Sequence, residues 1–250
     1  MKKRKLFIDA FRGFALLNMI LYHGLYDVVY IFHYPISWYS ERPGYLWQQS
    51  IAMSFILISG FTRHLSKKPV KDGVVIFIWG IILSLVTTII MPDQRILFGI
   101  LSCMGLAILI TWLLEKKLSK APPLLGIVFS LLLFLSFREI QRGMLFFGKI
   151  NIPQEIYEIP GMFIFGFPGT DFYSTDYYPI FPWIFLFIAG YYLGLLYKQK
   201  KLKLPNIPKK ENALTFLGQN SLKVYLIHQP VLYILLMGIF AVISQNRGPL

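Results

Sequence analysis

Cysteine, acidic residues and charge in general are what this chain has little of. Its single cysteine, Cys103, excludes a disulfide framework and any zinc site built from paired thiolates. Cys103 lies inside an apolar window, where it reads as a small buried residue. Charged residues make up 15% of the 250 positions, against about 25% in a soluble domain, which excludes an ordinary water-soluble fold. The apolar stretches do not alternate with polar residues, so a transmembrane β-barrel is excluded as well. There is no Gly-rich phosphate loop, no HExxH and no GxSxG elbow, and no metal is expected. Only 12 Asp and Glu stand against 25 Lys and Arg. A basic balance can mark a nucleic-acid binder. Here the basic residues sit in short tracts between apolar windows, as juxtamembrane charges do, so nucleic acid is not expected as a partner.

What the chain has instead is long apolar runs. About 20 apolar residues cross the hydrocarbon layer as a helix, and a spanning backbone has to satisfy its own hydrogen bonds. The pattern predicts spans near 7–32, 45–65, 73–91, 96–114, 122–137, 180–197 and 219–243. The expected fold is an all-α, polytopic transmembrane helical bundle of about seven spans, one domain over 1–250. The basic start Lys2, Lys3, Arg4 and Lys5 leads into a first span expected to be retained rather than cleaved. With the N-terminus cytoplasmic, the inner segments hold Lys67, Lys68, Lys71, Lys116, Lys117, Lys120, Lys198, Lys200, Lys201, Lys203, Lys209 and Lys210. The outer segments hold Arg42, Arg95, Arg138, Arg142, Lys149 and Arg247. That asymmetry obeys the positive-inside rule and points to a prokaryotic plasma membrane. The longest outer connection, 138–179, is rich in Gly, Pro and aromatics, and its apolar stretch 159–167 is too short to span. Exposed faces of such a bundle would allow a homodimer.

Ionisable residues inside a span are costly and mark candidate sites. The first span carries Asp9, Arg12, His23 and Asp27, which fall within about 60° of one helix face at 100° per residue. Such a stripe should face the bundle interior or a wet cavity. Arg12 and His23 are separated by roughly 16 Å along the axis. A carboxylate four residues from an imidazole can orient it and stabilise its charged form, as Asp27 would for His23. Structural ion pairs, Asp9 with Arg12 and His23 with Asp27, are the plainer alternative. The last span carries Ser221, Tyr225 and His228 on one face, followed by Pro230. Asp176, with Asp171 upstream, precedes the sixth span, where it would contact a sugar or polar headgroup, or cap that helix. His33 near the outer end of the first span reads as interfacial. Arg63 and His64 at the inner end of the second read as snorkelling side chains.

Four blocks of residues together resemble one family. The first is Ile8-Asp9-Ala10-Phe11-Arg12-Gly13, continuing to Tyr22-His23-Gly24-Leu25-Tyr26-Asp27. The second is Leu97-Phe98-Gly99-Ile100-Leu101, and the third is Asp176-Tyr177-Tyr178-Pro179 with Phe181-Pro182-Trp183. The last is Leu217-Gly218-Gln219-Asn220-Ser221 with Tyr225-Leu226-Ile227-His228-Gln229-Pro230. In this order they resemble the prokaryotic relatives of heparan-α-glucosaminide N-acetyltransferase, within the wider transmembrane acyltransferases. The resemblance implies acyl transfer from cytoplasmic acetyl-CoA (or another acyl-CoA) to a sugar hydroxyl or amine at the outer face, so an extracytoplasmic glycan as acceptor. It implies Asp9 and Arg12 at the donor mouth, and His23 with Asp27 at the reacting centre. His33 is a second catalytic candidate, because the family's catalytic histidine follows the first span. Asp176, Tyr177, Trp183, Tyr225 and His228 are implied on the acceptor side. Two other classes stay open on the residues alone. One is a proton-coupled transporter relaying through the His–Asp stripe, although no repeat or pair of broken spans supports it. The other is a non-catalytic membrane protein.

Overall fold

The structure, a computed structural model, describes residues 6–246, with side chains to Ile243. The basic start Lys2–Lys5 and Arg247 lie outside the described residues. The expected all-helical class is observed. Among the described residues ten α-helices run in chain order: α1 (Leu6–Tyr26), α2 (Ser37–Ser40), α3 (Arg42–Thr62), α4 (Pro69–Ile90), α5 (Ile100–Leu113), α6 (Glu115–Leu118), α7 (Pro123–Ser136), α8 (Ile180–Lys198), α9 (Ala213–Gln219) and α10 (Ser221–Asn246). Among the described residues five helical stretches are long and apolar enough to cross a membrane: Leu6–Ile31, Pro69–Ile90, Pro123–Arg142, Ile180–Lys198 and Ser221–Ile243. The other two expected spans differ from these. α3 is long but carries Arg42, Gln48, Gln49 and Ser50 near its start. α5 has 14 residues, about 21 Å of helix against a hydrocarbon layer of about 30 Å.

The chain forms two compact units, one of residues 1–55 with 204–250, the other of 56–203. In the first unit α1 buries Ile8, Ala15, Leu16 and Met19, and its backbone meets that of α9 through two glycines. A Cβ on Gly13 would lie 1.9 Å from the Leu214 carbonyl oxygen, and one on Gly218 would lie 1.8 Å from that of Asp9. Only a missing side chain permits that approach, the means by which helices pack closely in lipid. Asn212 fixes the start of α9 with a capping box. Its side chain accepts from the Thr215 amide at 3.0 Å, and its own amide donates to Thr215 Oγ1 at 2.7 Å. α1 continues into a wider π-helical turn over Asp27–Ile31. Past it, Phe32 stacks on Phe240 of α10 at 4.6 Å.

In the second unit α8 is the most buried span. The same small-residue device holds it to the end of α3, where a Cβ on Gly60 would meet the Phe187 carbonyl oxygen at 2.1 Å. By contrast α7 exposes Leu124, Leu125, Val128, Phe129 and Leu132, a face suited to lipid. The long connection 138–179 has structure of its own. A short antiparallel pair joins Met144–Leu145 to Ile150–Asn151, and single 3₁₀ turns cover Gln154–Glu158 and Met162–Phe165. Within the apolar stretch 159–167 only Met162–Phe165 form a short 3₁₀ turn.

Candidate functional site

The polar stripe of α1 divides into two groups. Near its start, Arg12 donates to the Gly218 carbonyl at 3.5 Å and lies 3.9 Å from the Asp9 carboxylate. Both side chains are largely covered, with 25% and 13% of their surface exposed. The stripe there knits α1 to the end of α9.

One end of the stripe meets α10 directly. The His23 and His228 rings lie 5.0 Å apart, centre to centre, at 61°. Tyr22 and Tyr26 flank His23 at 5.9 and 6.5 Å, and Tyr225 lies 5.5 Å from His228. His228 Nδ1 is 2.5 Å from the Tyr225 carbonyl oxygen. A carbonyl only accepts, so Nδ1 carries the proton. In the neutral ring Nε2 then holds the lone pair, and that buried nitrogen has no hydrogen-bond partner among the described residues. Backbone anchoring of one nitrogen thus fixes the tautomer and leaves the other free to accept a proton.

Asp27 is fully buried, but its partner is not the one the sequence spacing suggests. Its Oδ1 accepts from Gln229 Nε2 at 2.6 Å, while Oδ2 and Gln229 Oε1 have no partner among the described residues. No ion pair or hydrogen bond joins Asp27 to His23 among the described residues. The four-residue spacing assumes an unbroken α-helix, whereas the helix widens to π geometry at Asp27. The residue after His228 meets Asp27, so the two helices form the pairs His23–His228 and Asp27–Gln229. Gln229 is the member of this group that sequence reasoning missed. Its place beside His228 in the last block of the family resemblance was the available signal.

His33 stands apart, exposed, in the turn after α1 with φ of 54°. Asp176, Tyr177 and Trp183 belong to the second unit. Residues 174–178 run beside 95–98, with Thr175 N donating to Arg95 O and Tyr178 N to Phe98 O, both at 3.1 Å. Asp176 is thereby brought to the start of α5 rather than of α8, and its Oδ2 accepts from the Ile100 amide at 3.2 Å. Sequence proximity pointed to the wrong helix, because the pairing partners of this segment lie 76 to 81 positions away. Burial pushes the Asp176 carboxyl up to about 6, against the pull of that amide. Asp171 is exposed. Tyr177 donates to the Phe163 carbonyl at 2.5 Å. Trp183 is a buried packing residue between Phe134 at 5.5 Å and Tyr178 at 5.1 Å, with the Arg138 guanidinium 5.3 Å from its ring.

Arg63 and His64 do not snorkel. Arg63 is 6% exposed and paired with Glu115 at 2.7 Å, and His64 Nε2 reaches the Tyr191 carbonyl at 3.2 Å. The acidic start of α6 supplies a partner that the sequence did not advertise.

Among the described residues no three His, Cys, Asp or Glu side chains gather as metal ligands. A sequence profile of the catalytic domain of heparan-alpha-glucosaminide N-acetyltransferase matches residues 4–230. The chain belongs to that family. It is therefore a multi-pass membrane protein of an acetyltransferase family. The match runs through α1, α9 and the α10 segment carrying His228 and Gln229, so the paired histidines lie within the matched residues. Comparison with curated proteins and with solved structures finds no match.

Proposed function

We propose that the protein transfers an acetyl group from cytoplasmic acetyl-CoA to a sugar hydroxyl or amine at the outer face of a prokaryotic plasma membrane. The observation that carries this reading is the pair His23–His228 on two membrane-spanning helices, one ring held by its backbone bond with an unpartnered nitrogen. The acceptor's hydroxyl or amine attacks the thioester carbon, and an imidazole of the pair takes the proton from the attacking atom. As the tetrahedral intermediate collapses, the carbon–sulfur bond breaks and the same proton returns to the departing thiolate, giving free coenzyme A. His23 is assigned as the base, with His228 and Tyr225 ordering it and the acceptor. Transfer through an acyl-His23 is the two-step variant of the same chemistry. Asp27 stabilises positive charge as the pair becomes protonated. Asp9 and Arg12 border the donor's entry, where a guanidinium suits the coenzyme's phosphates. His33 is retained as a second base candidate and Tyr177 as an acceptor-side residue on the family resemblance, whereas the contacts of Asp176 and Trp183 are spent within the fold.

The test is calorimetric binding of acetyl-CoA to detergent-purified protein, with wild type, Arg12→Gln and His23→Ala compared. Micromolar binding that weakens in Arg12→Gln and survives in His23→Ala is the expected result. A correctly folded wild type that binds no acetyl-CoA would overturn the proposal. The buried pair would then be read as a proton path, to be sought as proton flux in liposomes.

A further inference from the structure

The membrane-spanning stretch that contains α7 ends at Arg142, but the chain does not leave it there. It folds back along the last turns of the helix. The Met144 amide donates to the Glu139 carbonyl at 3.2 Å, and the Phe146 amide to that of Ser136 at 2.7 Å. Glu139 and Ser136 both lie within the spanning stretch. The antiparallel pair of Met144–Leu145 with Ile150–Asn151 therefore holds its tip, residues 146–149, at the depth of the helix end. Phe147 follows Phe146 by one Cα step of about 3.8 Å, and the headgroup region adds about 5–7 Å to each side of the hydrocarbon layer. The tip thus stays within the thickness of the membrane surface.

The side chains carried there are apolar and uncovered. Phe147 is 68% exposed, and Phe146 and Ile150 are exposed beside it. Phe146 and Phe147 have φ of 50° and 62°, followed by Gly148 at 80°. Left-handed backbone suits Gly or Asn, and a bulky residue there is an outlier. Gly148 meets the demand of the turn and the two phenylalanines do not, so their rings have a reason outside it. The neighbouring helix supplies one. Leu132 and Leu135, in the last turns of α7, are exposed as well, so an apolar surface suited to lipid accompanies the helix to the point where the tip is tied on. Lys149, exposed between the rings and Ile150, adds an ammonium on a long apolar stem, which reaches a headgroup while the stem stays among apolar neighbours.

We infer that the 146–150 tip is a lipid anchor, with Phe147 and Ile150 dipping into the bilayer surface beside α7 and Lys149 meeting headgroup phosphate. Apolar side chains buried in the headgroup boundary with cations at their edge are how surface segments bind membranes. The anchor needs a spanning α7 and no acyl transfer, so it stands or falls separately from the acyltransferase reading. Cys103 is buried, and a Cys103→Ala background leaves one cysteine at a time for labelling. Nitroxide labels at Phe147→Cys, Ile150→Cys and Glu155→Cys are compared by power-saturation EPR, with the full chain in phosphatidylcholine–phosphatidylglycerol nanodiscs. Oxygen concentrates among acyl chains and a nickel chelate in water. The ratio of oxygen to nickel accessibility at 147 and 150 should exceed that at the exposed Glu155 position several-fold. Phe147→Asp should bring the ratio at 150 towards the 155 value while the melting temperature stays near that of wild type. The two labels alone decide the question if that variant folds poorly. Ratios at 147 and 150 as low as at 155, or a ratio at 150 unmoved by Phe147→Asp, would overturn the anchor. Dipolar broadening at 147 that vanishes on dilution with unlabelled protein would show a second copy covering the tip, and would overturn it too.

Discussion

Asp27, fully buried, and Asp176, half-buried, are carboxylates in the two units of the chain, and the protein treats them differently. Asp176 sits on the first amide of α5, in a segment whose neighbours Ser174 and Thr175 also bond to the 94–97 strand of chain. Every contact there fixes one segment to another. Asp27 accepts one side-chain hydrogen bond and keeps a second oxygen without a partner, beside a glutamine with a free carbonyl and a histidine with a free nitrogen. A buried polar atom without a partner costs on the order of 1–3 kcal/mol. Three of them within two consecutive residues of α10 and their contact in the π-helical turn after α1 form a concentration that folding alone does not explain. The difference separates a carboxylate that builds the fold from a group that retains capacity for a ligand or a proton.

The sharpest way to break this comparison is at the histidines. His23→Ala should lower acyl transfer by about 10²–10⁴-fold, the contribution of a positioned base, while the melting temperature of the purified protein changes little. Loss of fold in parallel with activity would place His23 with Asp176 among structural groups. The next effect in size concerns the register that delivers the stripe to α10. Gly218→Ala adds a methyl group 1.8 Å from the Asp9 carbonyl oxygen. Backbone cannot move aside as a side chain can, so a loss of about 1–3 kcal/mol or more is expected, read as a lower melting temperature. A variant as stable as wild type would show that the α1–α9 contact is looser than the glycines imply.

A smaller effect is expected at Asp27. Asn can still accept from Gln229, so Asp27→Asn should leave stability within about 1 kcal/mol of wild type. It removes the charge that favours a protonated imidazole pair, so turnover should fall about ten-fold, with the slope of the pH–rate profile altered. Unchanged turnover together with an unchanged profile would make Asp27 a packing group.

The sequence made the helical class and the polar face of α1 legible, because apolar length and a 100° repeat are local signals. Ionisable residues within an apolar run announced His23, Asp27 and His228 for the same reason. Partners were not legible. Gln229 meets Asp27 across 202 positions, Arg63 meets Glu115 across 52, and Asp176 meets Ile100 across 76. Two of these joined residues to partners other than the nearest ones in the chain. The π turn at Asp27 redirected one carboxylate, and the extended run 174–178 carried the other to α5.

The smallest effect tests Asp176 as a builder of the fold. Its folded value of about 6 lies above the ordinary 3.8, so the folded chain binds this proton more tightly than the unfolded one. The favourable contribution is complete below the unfolded value and is lost as pH rises through about 6. Wild type should therefore melt at a higher temperature at pH 5 than at pH 7, with a change of about 1–2 kcal/mol. Asn is an accepted helix cap, so Asp176→Asn should keep the bond to Ile100 and flatten that dependence, and at pH 7 it should be no less stable than wild type. If the variant is instead destabilised at pH 7 while wild type gains stability with rising pH, the ionised cap at the start of α5 outweighs its burial. The contrast with Asp27 would then rest on partners alone and not on the cost of the charge.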